Sequence, residues 1–133
     1  MSAEVAVRGA VIAAMRDDGA LMDALNGLYD GEPARASAPY AHVGECLGSD
    51  WGGKDVEGRE VRLTIGLVVP DDTPGRLAPM MARIDPAIGA APVSDGWRIV
   101  SARLVRSRVT RSGGRPPVGW QAMIDYRIRA VRE

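Results

Sequence analysis

Two residues in this chain have side chains suited to bond-making chemistry or metal ligation. They are His42 and Cys46, each the sole member of its type among 133 residues. An imidazole base beside a thiol is a common nucleophilic pair. Both fall on a strand predicted over Tyr40–Leu47, and their spacing puts them on one face of it. Four residues of extended chain separate them by ~13 Å, too far for proton transfer or a shared metal. The spacing therefore points to a half-buried histidine and a small buried cysteine. A single cysteine also excludes an internal disulfide and a multi-cysteine metal site. Asp17-Asp18 and Asp71-Asp72 are adjacent carboxylates whose side chains diverge, which suits helix ends and solvated turns rather than acid/base pairs. Gly52-Gly53 lacks both the strand–loop–helix setting and the Gly-Lys-Ser/Thr ending of a phosphate loop. The expectation is a protein without catalytic residues, metal or cofactor, and not an enzyme.

The other chemistry-bearing residues are arginines. Seventeen basic and seventeen acidic side chains cancel, and Lys54 is the single lysine. The balance is uneven along the chain. Residues 1–96 carry eight basic and fifteen acidic groups, whereas residues 97–132 carry nine arginines against Asp125 alone. Net neutrality argues against a uniformly basic nucleic-acid binder. The asymmetry has two bland or sharp readings: arginines on the wet side of two strands, or an acidic surface on one copy meeting a basic surface on the next. Head-to-tail contacts between unlike surfaces close into rings where the rotation permits. A basic face toward nucleic acid is the third reading.

The elements that must carry these groups read as one mixed domain over residues 1–133. Hydrophobic residues make up 46% and charged residues 26%, an ordinary globular balance. No apolar run approaches the ~20 residues of a membrane span. The first sixteen residues contain Glu4 and lack a secretory layout. Val7, Ala10, Val11, Ala14 and Met15 form a helical stripe, with Ser2 as its cap and Asp17-Asp18-Gly19 as its end. Leu21, Met22 and Leu25 suggest a second short helix stopped by Asn26-Gly27, and Leu28-Tyr29 a short strand. Gly48 to Gly58 reads as a long hairpin loop. Val61, Leu63, Ile65, Leu67 and Val69 alternate with more polar residues, the clearest strand in the chain. Leu77, Met80, Met81, Ile84 and Ile88 mark another helix, with Pro79 in its first turn and Pro86 kinking or ending it. Trp97 to Arg111 is a strand whose pattern shifts: Val100, Ala102 and Leu104 share one face, Val105 and Val109 the other. A bulge near Leu104 reconciles the halves. After the Ser112–Pro117 turn, Val118, Trp120, Ala122, Ile124, Tyr126, Ile128 and Ala130 form the apolar face of the last strand. The predicted fold is α+β, a twisted antiparallel sheet of four to five strands with two to three helices packed on one face.

The aromatic residues refine this reading. RNA-binding sheets use exposed aromatics as stacking platforms. Here Phe is absent, and Trp120 and Tyr126 sit in apolar stripes that read as core. Trp51 differs, lying among Gly, Ser, Asp and Lys, where no local stripe buries it. Tryptophan is enriched at interface hot spots, so contact with a partner competes with folding back on its own domain.

Several motifs in order carry a resemblance. They are the opening helix Val7–Asp18, then Leu28-Tyr29-Asp30-Gly31-Glu32-Pro33, Ala38-Pro39-Tyr40, and Asp50-Trp51 before a Gly-rich loop. The Glu60–Ile65 strand, Ser107-Arg108-Val109, Trp120 and the closing Tyr126–Ala130 segment complete the set. With them the whole chain resembles the tail-completion, or tail-terminator, proteins of long-tailed phages and gene transfer agents. Pro79, Pro86 and the Arg115-Pro116-Pro117 turn depart from the smoother pattern expected of that family. The resemblance implies a structural role and a virion location, assembled in the bacterial cytoplasm. It implies a homo-oligomeric ring, typically of six copies, that caps the head-proximal end of the tail tube. Its expected partners are the tube protein and the head–tail connector or stopper; no membrane is involved, and DNA only passes through the lumen. A head-completion or connector ring at the same junction is an alternative, a small nucleic-acid-binding module another. On this reading the interface candidates are Trp51 and Lys54 in the loop, with Arg106, Arg108, Arg111 and Arg115 near the last turn.

Overall fold

The computed structural model describes residues 2–113 and 118–133. The order is α1 (Ala3–Asp17), α2 (Gly19–Asp23), β1 (Gly27–Asp30), β2 (Tyr40–Asp50), β3 (Gly58–Val69), α3 (Leu77–Gly89), β4 (Trp97–Arg111) and β5 (Trp120–Arg132). The strands form one five-stranded sheet in the order β1-β2-β3-β5-β4. This is the expected α+β architecture with one amendment. Four strands are antiparallel neighbours, but β1 lies parallel to β2, so the sheet is mixed. The chain returns through loop 31–39 before entering β2, and a return of that kind sets two strands in the same direction.

The helices form where the stripes demand. Ser2 caps α1, its Oγ accepting the Val5 N–H at 3.3 Å. One face of α1 buries Val7, Ala10, Val11, Ala14 and Met15. Asp18 then caps α2 through the Leu21 N–H at 3.0 Å, and Arg83 of α3 pairs with the same carboxylate at 2.7 Å. Pro79 lies in the first turn of α3 as expected, while α3 continues through Pro86 to Gly89. Leu77, Met80, Ile84 and Ile88 of α3 join α1 and the odd-numbered side chains of β3 and even-numbered ones of β5 in a single core. Each fully buried aliphatic side chain there contributes ~1.5–3 kcal/mol. With no Phe in the chain, the core is built mainly from aliphatic side chains and alanines.

Irregularities in the strands change which residues share a face. β4 carries two register shifts, between Ile99 and Ser101 and between Leu104 and Arg106. The bulge expected near Leu104 is therefore present, at Val105, and a second lies at Val100. Together they put Ile99, Ala102, Leu104, Ser107 and Val109 opposite the helix-side residues of β5, so Val109 joins the face of Leu104 rather than opposing it. The loop predicted over Gly48–Gly58 is shorter, because Gly48, Ser49 and Asp50 pair with Val61, Glu60 and Arg59. The missing side chain of Gly48 leaves room for Glu4 of α1, whose carboxylate lies 1.9 Å from where a Cβ would stand. Val118 precedes β5 and is exposed. The turn residues Gly114, Arg115, Pro116 and Pro117 lie outside the described residues.

Candidate interaction surfaces

The sheet outruns its helices. Thirteen residues of α3 cover ~20 Å, whereas the fifteen residues of β4 span ~50 Å. Trp97 is buried and Ile99 and Ala102 are half-buried, but every residue from Arg103 to Arg111 is exposed. Val100, Leu104, Val105 and Val109 are 40–49% exposed on this projecting edge strand. Interleaved with them stand the arginines singled out from the sequence. Arg106 Nε donates to Asp125 Oδ2 at 2.7 Å, and Thr64 Oγ1 donates to the other oxygen at 2.6 Å. The Thr64 hydrogen bond, then Arg106, hold the Asp125 carboxyl below its usual range. Arg106 nevertheless keeps 79% of its side chain exposed. Arg111 lies 5.1 Å over the Trp120 ring, whose Nε1 donates to the Asp72 carbonyl at 3.0 Å. Arg108 is exposed and forms no ion pair among the described residues. Arg115 lies outside them.

Trp51 and Lys54 sit in the β2–β3 loop, at the other end of the sheet. Trp51 turns back on its own domain. Its ring abuts Gly58, where a Cβ would come within 2.8 Å, and the Arg129 guanidinium lies 5.1 Å from its centroid. Arg129 in turn reaches Glu60 at 3.2 Å, and Arg127 and Arg62 approach the same carboxylate at 3.8 and 3.9 Å. Trp51 as a residue is still 37% exposed. Lys54 is exposed beside it. Since Arg129 and Trp120, the neighbours of Trp51 and Arg111, stand nine residues apart on β5, the two patches are separated by ~30 Å. The structure thus does not bring the five described candidates, Trp51, Lys54, Arg106, Arg108 and Arg111, into one site.

His42 and Cys46 lie on opposite faces of the sheet. A register shift between Val43 and Cys46 inserts an extra residue into β2. The parity of the strand changes there, so Cys46 pairs with Leu63 on the helix side while His42 pairs with Gly66 on the opposite face. The expectation that they share a face is corrected by this bulge. His42 is 5% exposed, its ring lies against Gly66, and its Nδ1 has no hydrogen-bond partner among the described residues. Burial lowers its pKa. Burial also pushes the Cys46 thiol up, against the pull of Arg8, which suits a packing residue rather than a nucleophile. Among the described residues, no cluster of three or more His, Cys, Asp or Glu could hold a metal ion, and no helix is long and apolar enough to cross a membrane.

One residue went unsignalled in the sequence. Arg8 of α1 reaches across the bulge, donating to the Val43 carbonyl at 2.5 Å, to the Gly44 carbonyl and to Asp30, with Cys46 Sγ at 3.3 Å. It satisfies backbone groups that the bulge takes out of the ladder. A charged residue beside the apolar stripe of α1 was the available cue.

The structure is an open α+β sheet whose β4 edge projects beyond the helices and carries exposed arginines. The chain belongs to the tail completion protein gp17 family, whose model matches residues 9–130. It is accordingly a tail-completion protein, a component of the virion tail. Two solved structures share its fold. A chain from the virion of a native gene transfer agent particle covers all of this chain and 99% of its own length, at 23% identity and a TM-score of 0.76. The bacteriophage SPP1 gp17 protein covers 95% of this chain and 89% of its own, at 17% identity and 0.66. Comparison with curated proteins finds no match.

Proposed function

We propose that this chain forms a ring, of six copies, on the head-proximal end of the tail tube of a phage or gene transfer agent. There it stops tube polymerisation and offers its other side to the head–tail connector. The observation that carries this reading is the family match over nearly the whole chain, on a domain with an exposed edge strand rich in arginine. The asymmetry of charge along the chain supports contacts between unlike surfaces, which give register and partner choice more than raw affinity. Arg106, Arg108, Arg111 and Arg115 belong to the contacts between subunits or between rings. Trp51 and Lys54, at the far end of the sheet, belong to a separate contact with the tube or connector. DNA passes through the lumen without being a ligand.

The test reverses charge at Arg106, Arg108 and Arg111 together and measures ring mass and tail completion in particles. Loss of both is expected; unchanged ring mass and normal tails would overturn the assignment. Trp51→Ala is expected to keep the fold and to weaken capture by purified tube protein. Retention by a portal-side protein instead of the tube would move the chain to a connector ring.

A further inference from the structure

The sheet has two free edges, and they are unlike. β1 covers β2 only from Tyr40 to Val43. Arg8 closes the next step by taking the carbonyls of Val43 and Gly44. From Cys46 to Asp50, β2 has β3 on one side and, among the described residues, no strand on the other. The backbone alternation says which groups face that side. The Trp51 N–H donates to the Gly58 carbonyl at 3.2 Å, so Trp51 turns toward β3, and Asp50, Gly48 and Cys46 turn outward. The same reasoning applies to β4. The Arg132 N–H donates to the Glu57 carbonyl at 2.9 Å, on the β3 side. The even-numbered residues of β5 therefore turn to β3. Their opposite numbers Leu104, Ser107 and Val109 point their N–H and C=O groups away from the sheet.

We infer that copies of this chain join edge to edge, the free stretch Cys46–Asp50 of one copy pairing with Leu104–Val109 of β4 in the next. This rests on the ring reading above and says how such a ring is held. The side chains beside the two edges are complementary. Glu45 and Asp50 flank the β2 edge and form no ion pair among the described residues, and Leu47 beside them is 58% exposed. The β4 edge offers Val105, Arg106 and Arg108, all exposed. On the helix-free face of the joined sheet, Glu45 and Leu47 of one copy stand beside Arg106, Arg108 and Val105 of the next. Strand direction agrees as well. Three successive antiparallel pairings make β2 and β4 run opposite ways, so a sheet repeated by rotation sets β4 antiparallel to the following β2. The curvature has the needed sense. Glu45 and Leu47 of β2 and Val105 and Arg106 of β4 line one groove of 340 Å³ on the helix-free side, so the sheet curls toward that side and keeps its helices outside. Covering two exposed edges in one contact also removes a known route to aggregation. Because the edges differ, the contact is head-to-tail.

Paired cysteines test this. In a Cys46→Ser background, Leu47→Cys is combined with Val105→Cys or with Arg108→Cys, and the purified chain is oxidised across a concentration series. Light scattering on the unoxidised chain gives the assembly state in parallel. At least one pair is expected to give a non-reducing gel ladder of covalent multimers, with none from any single-cysteine variant. Oligomers by light scattering without a ladder would overturn the edge pairing and leave the ring reading standing. Covalent dimers from Arg108→Cys alone would show β4 meeting its own kind and overturn it too. No assembly at any concentration would overturn both. Ser107→Pro removes an outward N–H without touching the β5 ladder. It is expected to melt with the parent and to associate at least tenfold more weakly. Parent-like association would count against the pairing.

Discussion

Arg8→Met removes the guanidinium that holds the β2 bulge to α1 while keeping an unbranched apolar stem. Two backbone carbonyls lose a donor. Val43 O retains the Gly31 N–H at 2.8 Å, but Gly44 O is left without its charged partner in a part-buried setting. An acceptor stranded in this way costs about 1–3 kcal/mol. The contact with Asp30, whose side chain is 59% exposed, adds about 0–1 kcal/mol. A total near ~2–3 kcal/mol, at an unfolding entropy of ~2.1 cal/mol/K per residue, lowers the melting temperature by ~7–11 °C. Asp30→Asn, which spares the carbonyls, should fall by no more than ~4 °C. Differential scanning calorimetry on the two variants and the parent reads both numbers. A melting temperature for Arg8→Met within ~2 °C of the parent would refute the reasoning. Equal losses in the two variants would show that the ion pair, not backbone satisfaction, is what Arg8 contributes.

Further outcomes follow from the helix-free face. Gly66→Ala sets a Cβ 2.2 Å from His42 Cε1 and should cost about 1–3 kcal/mol in a urea melt. Adding His42→Ala should recover more than half of that loss, and additive losses would mean the ring is not the obstacle. His42 is buried with its pKa held below the ordinary 6.5. As pH falls through 6.5 the unfolded chain takes the proton first, so this residue's share of stability is present above that value and lost through the lowered folded pKa. The urea midpoint should drop between pH 7.5 and 5.5 in the parent and less steeply in His42→Gln; parallel curves would refute it. Asp125→Asn weakens both the Thr64 and Arg106 contacts, and stability below pH 4 should lose its dependence on this carboxyl, read as a flatter acid limb in the same melts.

The parts of the fold legible in the sequence are those with long, uninterrupted periodicity. β3 and β5 alternate for ten residues or more, and α1 shows its stripe for two turns, so burial of one face leaves little choice of structure. The β4 bulge at Val105 was visible because the apolar residues changed parity there. The bulge in β2 was not, since Gly44 carries no side chain to mark a face and Glu45 is exposed wherever it points. β1 has only four residues, too few to show a period, and its parallel sense is set by the return through loop 31–39. The arginines were legible as a cluster, yet their division from Trp51 and Lys54 depends on where β5 runs between them. Arg8 escaped notice because its role is to satisfy a carbonyl that only the bulge exposes.

The guanidinium groups on β4 also have a meaning for the subunit before it meets any other. Two copies that approached through their β4 strands would oppose Arg103, Arg106 and Arg108 to the same residues, and like charges facing one another across a ladder repel. The bulges at Val100 and Val105 interrupt the straight run of backbone groups that such a mismatched pair would require. A newly made molecule is thereby discouraged from sticking to its twin in the symmetric way, and stays available for whichever neighbour brings carboxylates to the meeting.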